Sequence, residues 1–224
     1  MYKHTLSGVV LLGLAWSWSN AHAALESDKE KFSYSVGVQV ATSLSQAGPS
    51  LDIPALTQAI SDVLSGSELK LTEEEMQQAF KVYQQKLREE QAARADKNLH
   101  AGQEFLAANK KKPGVVELPN GMQYKIIRKG DGKKPTLQDT VEVHYRGTLI
   151  DGKEFDSSYK RNQTVSFPVN GVIQGWQEIL PLMPVGSKWE VVIPADLAYG
   201  AQGAGSSIGP NETLVFDIEL IGIK

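Results

Sequence analysis

The sequence predicts an α+β protein: a helical N-terminal half, then antiparallel strands whose sheet is covered on one face by a short helix. Two observations carry this. Proline divides the chain, with only Pro49 and Pro54 in residues 24–112 and the other eight in 113–224. Apolar residues also recur every three or four positions in the first part and alternate in the second. With 41% hydrophobic and 22% charged residues, 224 residues have ordinary globular composition and room for one or two domains.

At the N-terminus, Lys3 and His4 precede an apolar run from Leu6 to Trp18, and Ala21-His22-Ala23 has the small-x-small form of a cleavage site. The run is shorter than the ~20 residues that span a bilayer, so residues 1–23 are expected to be a cleavable signal peptide and not an anchor. The mature chain is then expected outside the cytoplasm, in a periplasm, with the outer surface as the alternative. No stable membrane insertion is expected.

Three helices follow. Phe32, Val36, Val40 and Leu44 mark one face of the first, which is expected to end near Gly48-Pro49. Asp52 is placed to cap a second, whose Ile53, Leu56, Ile60, Val63 and Leu64 form a stripe that Gly66 closes. Thr72 and Glu75 make a capping box for a third, which is expected to run to Lys112 before Pro113-Gly114 and to be on the order of 60 Å long. Its Met76, Phe80, Tyr83 and Leu87 are apolar, Arg88 to Asn98 holds no large hydrophobe, and Leu99, Phe105 and Leu106 restore some apolar character. That middle predicts a solvated stalk joining two packed ends. The domains are therefore expected to be 24–71 as a helical dimerisation domain, 72–112 as a long linker helix and 113–224 as a strand-rich second domain. One copy of these helices encloses little core, so a homodimer through residues 24–90 is expected. The alternative is that the helices fold back on the second domain.

In the second half, Tyr124 to Ile127 reads as a strand. Val141, Val143 and Tyr145 alternate with Glu142, His144 and Arg146, which puts Tyr145 on the buried face. Asp151-Gly152 is a tight turn and Phe155 opens the next segment. Gln174 to Leu180 reads as a short helix stopped by Pro181; Trp189 to Ile193 and Leu214 to Ile221 are further strands.

Most chemistry is excluded. With no cysteine there are no disulfides, thiol nucleophiles or cysteine metal sites. The four histidines are too scattered for zinc, and no phosphate loop or dinucleotide fingerprint occurs. A net charge of −3 gives no pull toward nucleic acid, and no cofactor is implied. Ser157, Ser158, His144 and Asp156 lack a nucleophile-elbow context, and His144 lies on the opposite sheet face from Tyr145. What remains is a set of aromatic residues that, taken singly, read as core.

Their order changes that. Val143-His144-Tyr145-Arg146-Gly147 and Asp151-Gly152-Lys153-Glu154-Phe155-Asp156-Ser157-Ser158 resemble the central signature of FKBP-type immunophilins. Val172-Ile173-Gln174-Gly175-Trp176, Met183-Pro184-Val185-Gly186, Leu197-Ala198-Tyr199-Gly200 and Thr213-Leu214-Val215-Phe216 continue the resemblance, in family order, over residues 116–224. The N-terminal half, including the stretch from Leu99 through Asn109 to Leu118-Pro119, resembles the dimerisation arm of the macrophage infectivity potentiator subfamily.

The resemblance implies that 113–224 is the catalytic domain of a peptidyl-prolyl cis/trans isomerase, built as an antiparallel half-barrel wrapped over a short helix. It implies Tyr145, Phe155, Asp156, Ile173, Trp176, Tyr199 and Phe216 as catalytic residues, with Arg161, Val165, Val172 and Ile208 contacting substrate. Trp176 would floor the pocket, the Ile173 N–H and the Tyr199 hydroxyl would hold substrate carbonyls, and Asp156 would orient the site. Val165 stands where many members carry an aromatic, and the loop from Ala204 to Pro210 is one that varies. The implied partners are proline-containing unfolded or flexible polypeptides and macrolides such as rapamycin. Chaperone activity of the dimer is a compatible second reading, and a surface module binding host or matrix proteins a third.

Overall fold

The computed structural model describes residues 25–46 and 51–224, in two compact units, one up to Lys70 and one from Leu71. The expected signal peptide and the Gly48-Pro49 helix end lie outside the described residues. No helix among the described residues is long and apolar enough to cross a membrane.

The first unit holds α1 (Asp28–Gln46) and α2 (Ile53–Ser65). The Asp52 side chain accepts from the Ala55 N–H at 2.9 Å, and Gly66 closes α2 at φ 68°, as the sequence predicts. Both helices leave their apolar stripes open, with Phe32 at 70% exposure and Leu64 at 82%.

The second unit begins with α3 (Glu73–Asn109), opened by the expected capping box between Thr72 and Glu75. Its 37 residues make it about 55 Å long. The helix stops short of Lys112. The Asn109 amide is drawn instead onto the Gln123 side chain at 2.9 Å, and Pro113 cannot continue a helix.

Between Arg88 and Asn98, the expected solvated stalk, α3 is exposed except at Ala95 and Asn98. Ala95, Asn98, Gly102, Phe105, Leu106 and Asn109 fall on one face and are half-buried or buried against the rest of the unit. Gly102 is the point of closest approach, where a Cβ would collide with the Thr213 side chain. A glycine that weakens an isolated helix by ~1 kcal/mol relative to alanine is here what lets two elements meet.

The strands are β1 (Val115–Glu117), β2 (Gln123–Arg128), β3 (Thr140–Leu149), β4 (Glu154–Ser157), β5 (Val165–Pro168), β6 (Lys188–Ile193) and β7 (Leu214–Ile223). They form one antiparallel sheet in the order β1-β2-β6-β7-β3-β4, and β5 shares the outer edge of β3 with β4. β1 and β5 are too short to show alternation in the sequence. On β3 the buried face is Val141, Val143 and Tyr145, and on β7 it is Leu214, Phe216, Ile218 and Leu220. Against these packs α4 (Gln174–Ile179), which contributes Trp176 and Ile179. Gly175 permits the contact, because a Cβ there would strike Ile193 on β6.

Candidate active site

Where the concave face of the sheet leaves α4, the aromatic residues converge on a cavity of about 370 Å³. β3 supplies Tyr145, β4 Phe155 and Asp156, β5 Phe167, and β7 Phe216. Val172 and Ile173 lead into α4, whose Trp176 closes the bottom, and Tyr199 stands on the loop after β6.

The rings hold one another edge to face. Trp176 meets Tyr145 at 5.4 Å and 90° between planes, Phe216 at 5.4 Å and 79°, and Phe167 at 6.0 Å and 88°. Phe155 and Phe216 meet at 5.6 Å and 84°. Such pairs contribute ~0.5–1.5 kcal/mol each beyond area burial, so the wall is rigid before any ligand arrives. Gly147 makes the arrangement possible, since a Cβ there would run into the rings of both Phe155 and Phe216.

One charged group stands at the edge of this apolar site. The Asp156 carboxylate accepts from the Tyr145 hydroxyl, from Arg161 Nη1 at 2.6 Å and from the Ser157 N–H at 2.8 Å. Arg161 Nη2 also donates to the Tyr145 hydroxyl oxygen at 3.3 Å. Burial pushes the Asp156 carboxyl up, but the hydrogen bonds from Tyr145 and Arg161 together outweigh it, and the carboxyl is held below its usual range. Burial pushes the Tyr145 and Tyr199 phenols up, seconded by the hydrogen bond to Asp156 at Tyr145 and by the Asp156 charge at Tyr199, so both remain hydroxyl donors at neutral pH.

Donors are left over. Among the described residues, neither the Ile173 N–H nor the Tyr199 hydroxyl has a hydrogen-bond acceptor, and neither does the buried indole N–H of Trp176. A cavity that is aromatic on its floor and sides, with unpaired donors, suits a planar group bearing carbonyl oxygens. A larger groove of about 870 Å³, lined by Leu118, Leu137 and Leu182 among others, is built around a different part of α4. It has no aromatic lining residue, and its Asn120 and Gln174 side chains both donate to the Glu178 carboxylate, so the smaller cavity is the better site.

Of the residues the sequence nominates, Tyr145, Phe155, Asp156, Val172, Ile173, Trp176, Tyr199 and Phe216 line the cavity. Arg161 does not line it and meets it only through its hydrogen bonds to Asp156 and Tyr145. Val165 is half-buried against the core, and Ile208 is buried there, its backbone paired with Ala204; neither is a lining residue.

Phe167 and Gly171, which the sequence reading omits, are lining residues. Phe167 escapes the sequence because β5 is too short to show alternation; on the folded strand it lies two positions beyond Val165 on the same face and supplies the aromatic ring that Val165 lacks. His144 Nδ1 comes within 2.9 Å of Ser158 Oγ, a closeness the alternation does not reveal. Ser158 is nonetheless fully buried and bonded to both the N–H and the carbonyl of Tyr145, so it braces the β3–β4 corner and is no nucleophile.

The chain is similar to known proteins in sequence and in fold. Residues 131–221 match the model of the FKBP-type peptidyl-prolyl cis-trans isomerase domain, and 29–126 that of the domain amino-terminal to it. An outer membrane protein MIP of Legionella longbeachae is 45% identical, covering 99% of this chain and 98% of its own. A peptidyl-prolyl cis-trans isomerase Mip of Coxiella burnetii is 43% identical, covering 98% and 96%. Among solved structures, FkpA from Escherichia coli is 35% identical with a TM-score of 0.63, covering 90% of this chain and 99% of its own. A peptidyl-prolyl cis-trans isomerase from Pseudomonas syringae is 46% identical with a TM-score of 0.55, covering 58% and 96%.

Proposed function

The chain belongs to the FKBP-type peptidyl-prolyl cis-trans isomerases, a family that binds proline-containing peptides and rapamycin-like ligands, and from that premise we propose that its aromatic cavity is where an X–Pro bond is turned. The observation that carries the reading is the pairing of a rigid apolar enclosure with two unspent donors, the Ile173 N–H and the Tyr199 hydroxyl.

The reaction breaks no bond. Rotation about a peptide C–N bond is opposed by ~18–20 kcal/mol, because resonance is lost as the amide twists. X–Pro is the susceptible bond, since its two isomers lie within about 1 kcal/mol of each other and interconvert over tens to hundreds of seconds. The planar amide is the more charge-separated form. An apolar enclosure therefore disfavours it relative to the twisted transition state, and each 1.36 kcal/mol of that difference is worth about tenfold in rate.

By this reading Trp176 lies under the proline ring, and Tyr145, Phe155, Phe167 and Phe216 wall it. The Ile173 N–H and Tyr199 hydroxyl hold carbonyls on either side of the bond. Asp156 neither gives nor takes a proton; it fixes the Tyr145 ring through the phenolic hydrogen bond and is itself held by Arg161.

The helical half is the proposed dimerisation domain. Phe32, Val40, Ile53, Val63 and Leu64 in the first unit, and Phe80 of α3, are all more than two-fifths exposed in the single chain. A second copy is the partner that would cover them. Two pockets in one dimer raise the effective concentration at which a flexible client meets the second pocket, which is the basis for proposing chaperone activity beside catalysis. With residues 1–23 read as a signal peptide, the proposed location is the periplasm.

The test is refolding of a protein limited by a slow X–Pro step, without coupled protease. The chain is expected to accelerate that step and rapamycin to abolish the effect. No acceleration by folded protein would leave the cavity a binding site only.

A further inference from the structure

The loop that carries Tyr199 is held from outside the pocket. After Tyr199 the chain makes a tight hairpin, in which Ala204 and Ile208 exchange both backbone hydrogen bonds, and returns along Gly209, Pro210 and Asn211 to β7. Asn211 closes it: its N–H donates to the carbonyl of Gly200, the residue next to Tyr199, at 2.8 Å. It does so at φ 53°, a left-handed conformation that a residue with a Cβ adopts only at a cost.

What stabilises that conformation comes from α3. The Asn211 side chain donates to the Ala95 carbonyl at 3.4 Å, and one helical turn on, Asn98 Nδ2 donates to the Pro210 carbonyl at 2.8 Å. The Arg94 guanidinium lies so close over Gly209 that a Cβ there would stand 2.9–3.0 Å from it. Arg94, Asn98 and Gly102 recur at intervals of four on one helix face, and each meets the segment 209–213. Tyr199 itself is 39% exposed with an unbonded hydroxyl, so nothing at its tip fixes it and its place depends on the loop.

We infer that the docked half of α3 sets the position of Tyr199, with Asn98 and Asn211 as positioning residues of the isomerase site. The inference rests on the reading that the Tyr199 hydroxyl holds a substrate carbonyl. It makes the long helix a part of the site's framework as well as a connector, so the pocket of this chain is incomplete without residues far from it in sequence.

The experiment measures kcat and KM for a proline tetrapeptide, without coupled protease, on the full chain carrying Asn98→Ala, Asn98→Gln or Asn211→Gly. Each is made with Tyr199 and with Tyr199→Phe, and amide exchange is followed across 199–213. Glycine at 211 keeps the left-handed backbone and removes only the side-chain bond, so that variant folds.

Asn98→Ala and Asn211→Gly are each expected to lower kcat/KM roughly 3- to 10-fold, the range of one net hydrogen bond, with faster exchange at Gly203 and Asn211. Asn98→Gln should recover most of the loss. With Tyr199→Phe the further loss should shrink below twofold, because the asparagines act through that hydroxyl.

Equal losses in both backgrounds would overturn the inference, as would unchanged kcat/KM despite faster exchange. Wild-type activity in Tyr199→Phe alone would instead overturn the underlying reading of Tyr199, so the two failures are distinguishable.

Discussion

Replacing Asp156 by leucine tests the proposed division of labour in the pocket. The Tyr145 phenol is buried, and its O–H donates to Asp156; the other contact at its oxygen is a bond received from Arg161 at 3.3 Å. Asp156→Leu therefore leaves a buried donor unpaired, at a cost of ~1–3 kcal/mol. The Asp156–Arg161 ion pair contributes little beyond this, since the two side chains are 40% and 49% exposed and such pairs contribute at most about 1 kcal/mol.

If the whole cost falls on the transition state, the loss is roughly 5- to 150-fold in kcat/KM. Part is recovered if Tyr145 swings its hydroxyl toward solvent, which would disturb its edge-to-face contact with Trp176. About tenfold is the expected outcome. The assay is tetrapeptide isomerisation without protease, beside far-UV circular dichroism and a thermal melt. In a Tyr145→Phe background the same substitution should cost less than about threefold, the donor having gone. A folded Asp156→Leu variant within twofold of the parent would refute the reasoning.

The pH profile of kcat/KM should be flat from about pH 5 to 9, because Asp156 titrates below the usual ~3.9 and Tyr145 and Tyr199 above the usual ~10. A carboxyl with lowered folded-state pKa stabilises the fold above its unfolded value. That contribution fades as pH falls through the lowered one, so activity and stability should decline together only in acid. A single limb with its midpoint near ~6.5 would implicate a histidine and contradict this. Gly102→Ala should lower the melting temperature by several degrees, the collision with buried Thr213 outweighing the ~1 kcal/mol gain in helix propensity; a rise would show that α3 does not dock there. By sedimentation the chain should be a dimer and residues 91–224 a monomer, with tetrapeptide turnover within about threefold; a dimeric fragment would move the interface out of the helical half. A fragment starting at 114 should be less stable than one starting at 91, because Gln123, fully buried, loses its bonds to Asn109 and to the Leu106 carbonyl.

Local chemistry made much of this legible in the sequence. Asp52 and Thr72 cap helices through atoms three residues away, and Gly66 ends one by its own backbone freedom, so a short window holds all the information. Alternation on β3 and β7 names the buried face because a strand repeats every two residues. The aromatic residues of the site could be nominated by their order, and eight of the nominated residues line the cavity.

The remainder depended on approach between distant segments. Phe167, not Val165, completes the aromatic wall because the edge pairing of β5 with β3 turns its ring toward Trp176. Ile208 faces the core because its hairpin closes on Ala204. Asn98, at the end of the polar middle of α3, reads as solvated because hydropathy cannot distinguish a side chain that meets water from one that meets a carbonyl 112 residues away, as Asn98 does at Pro210. Apolar burial leaves a periodic trace in the sequence because water is the alternative at every position. A polar contact between remote segments leaves none, and only the fold brings its two halves together.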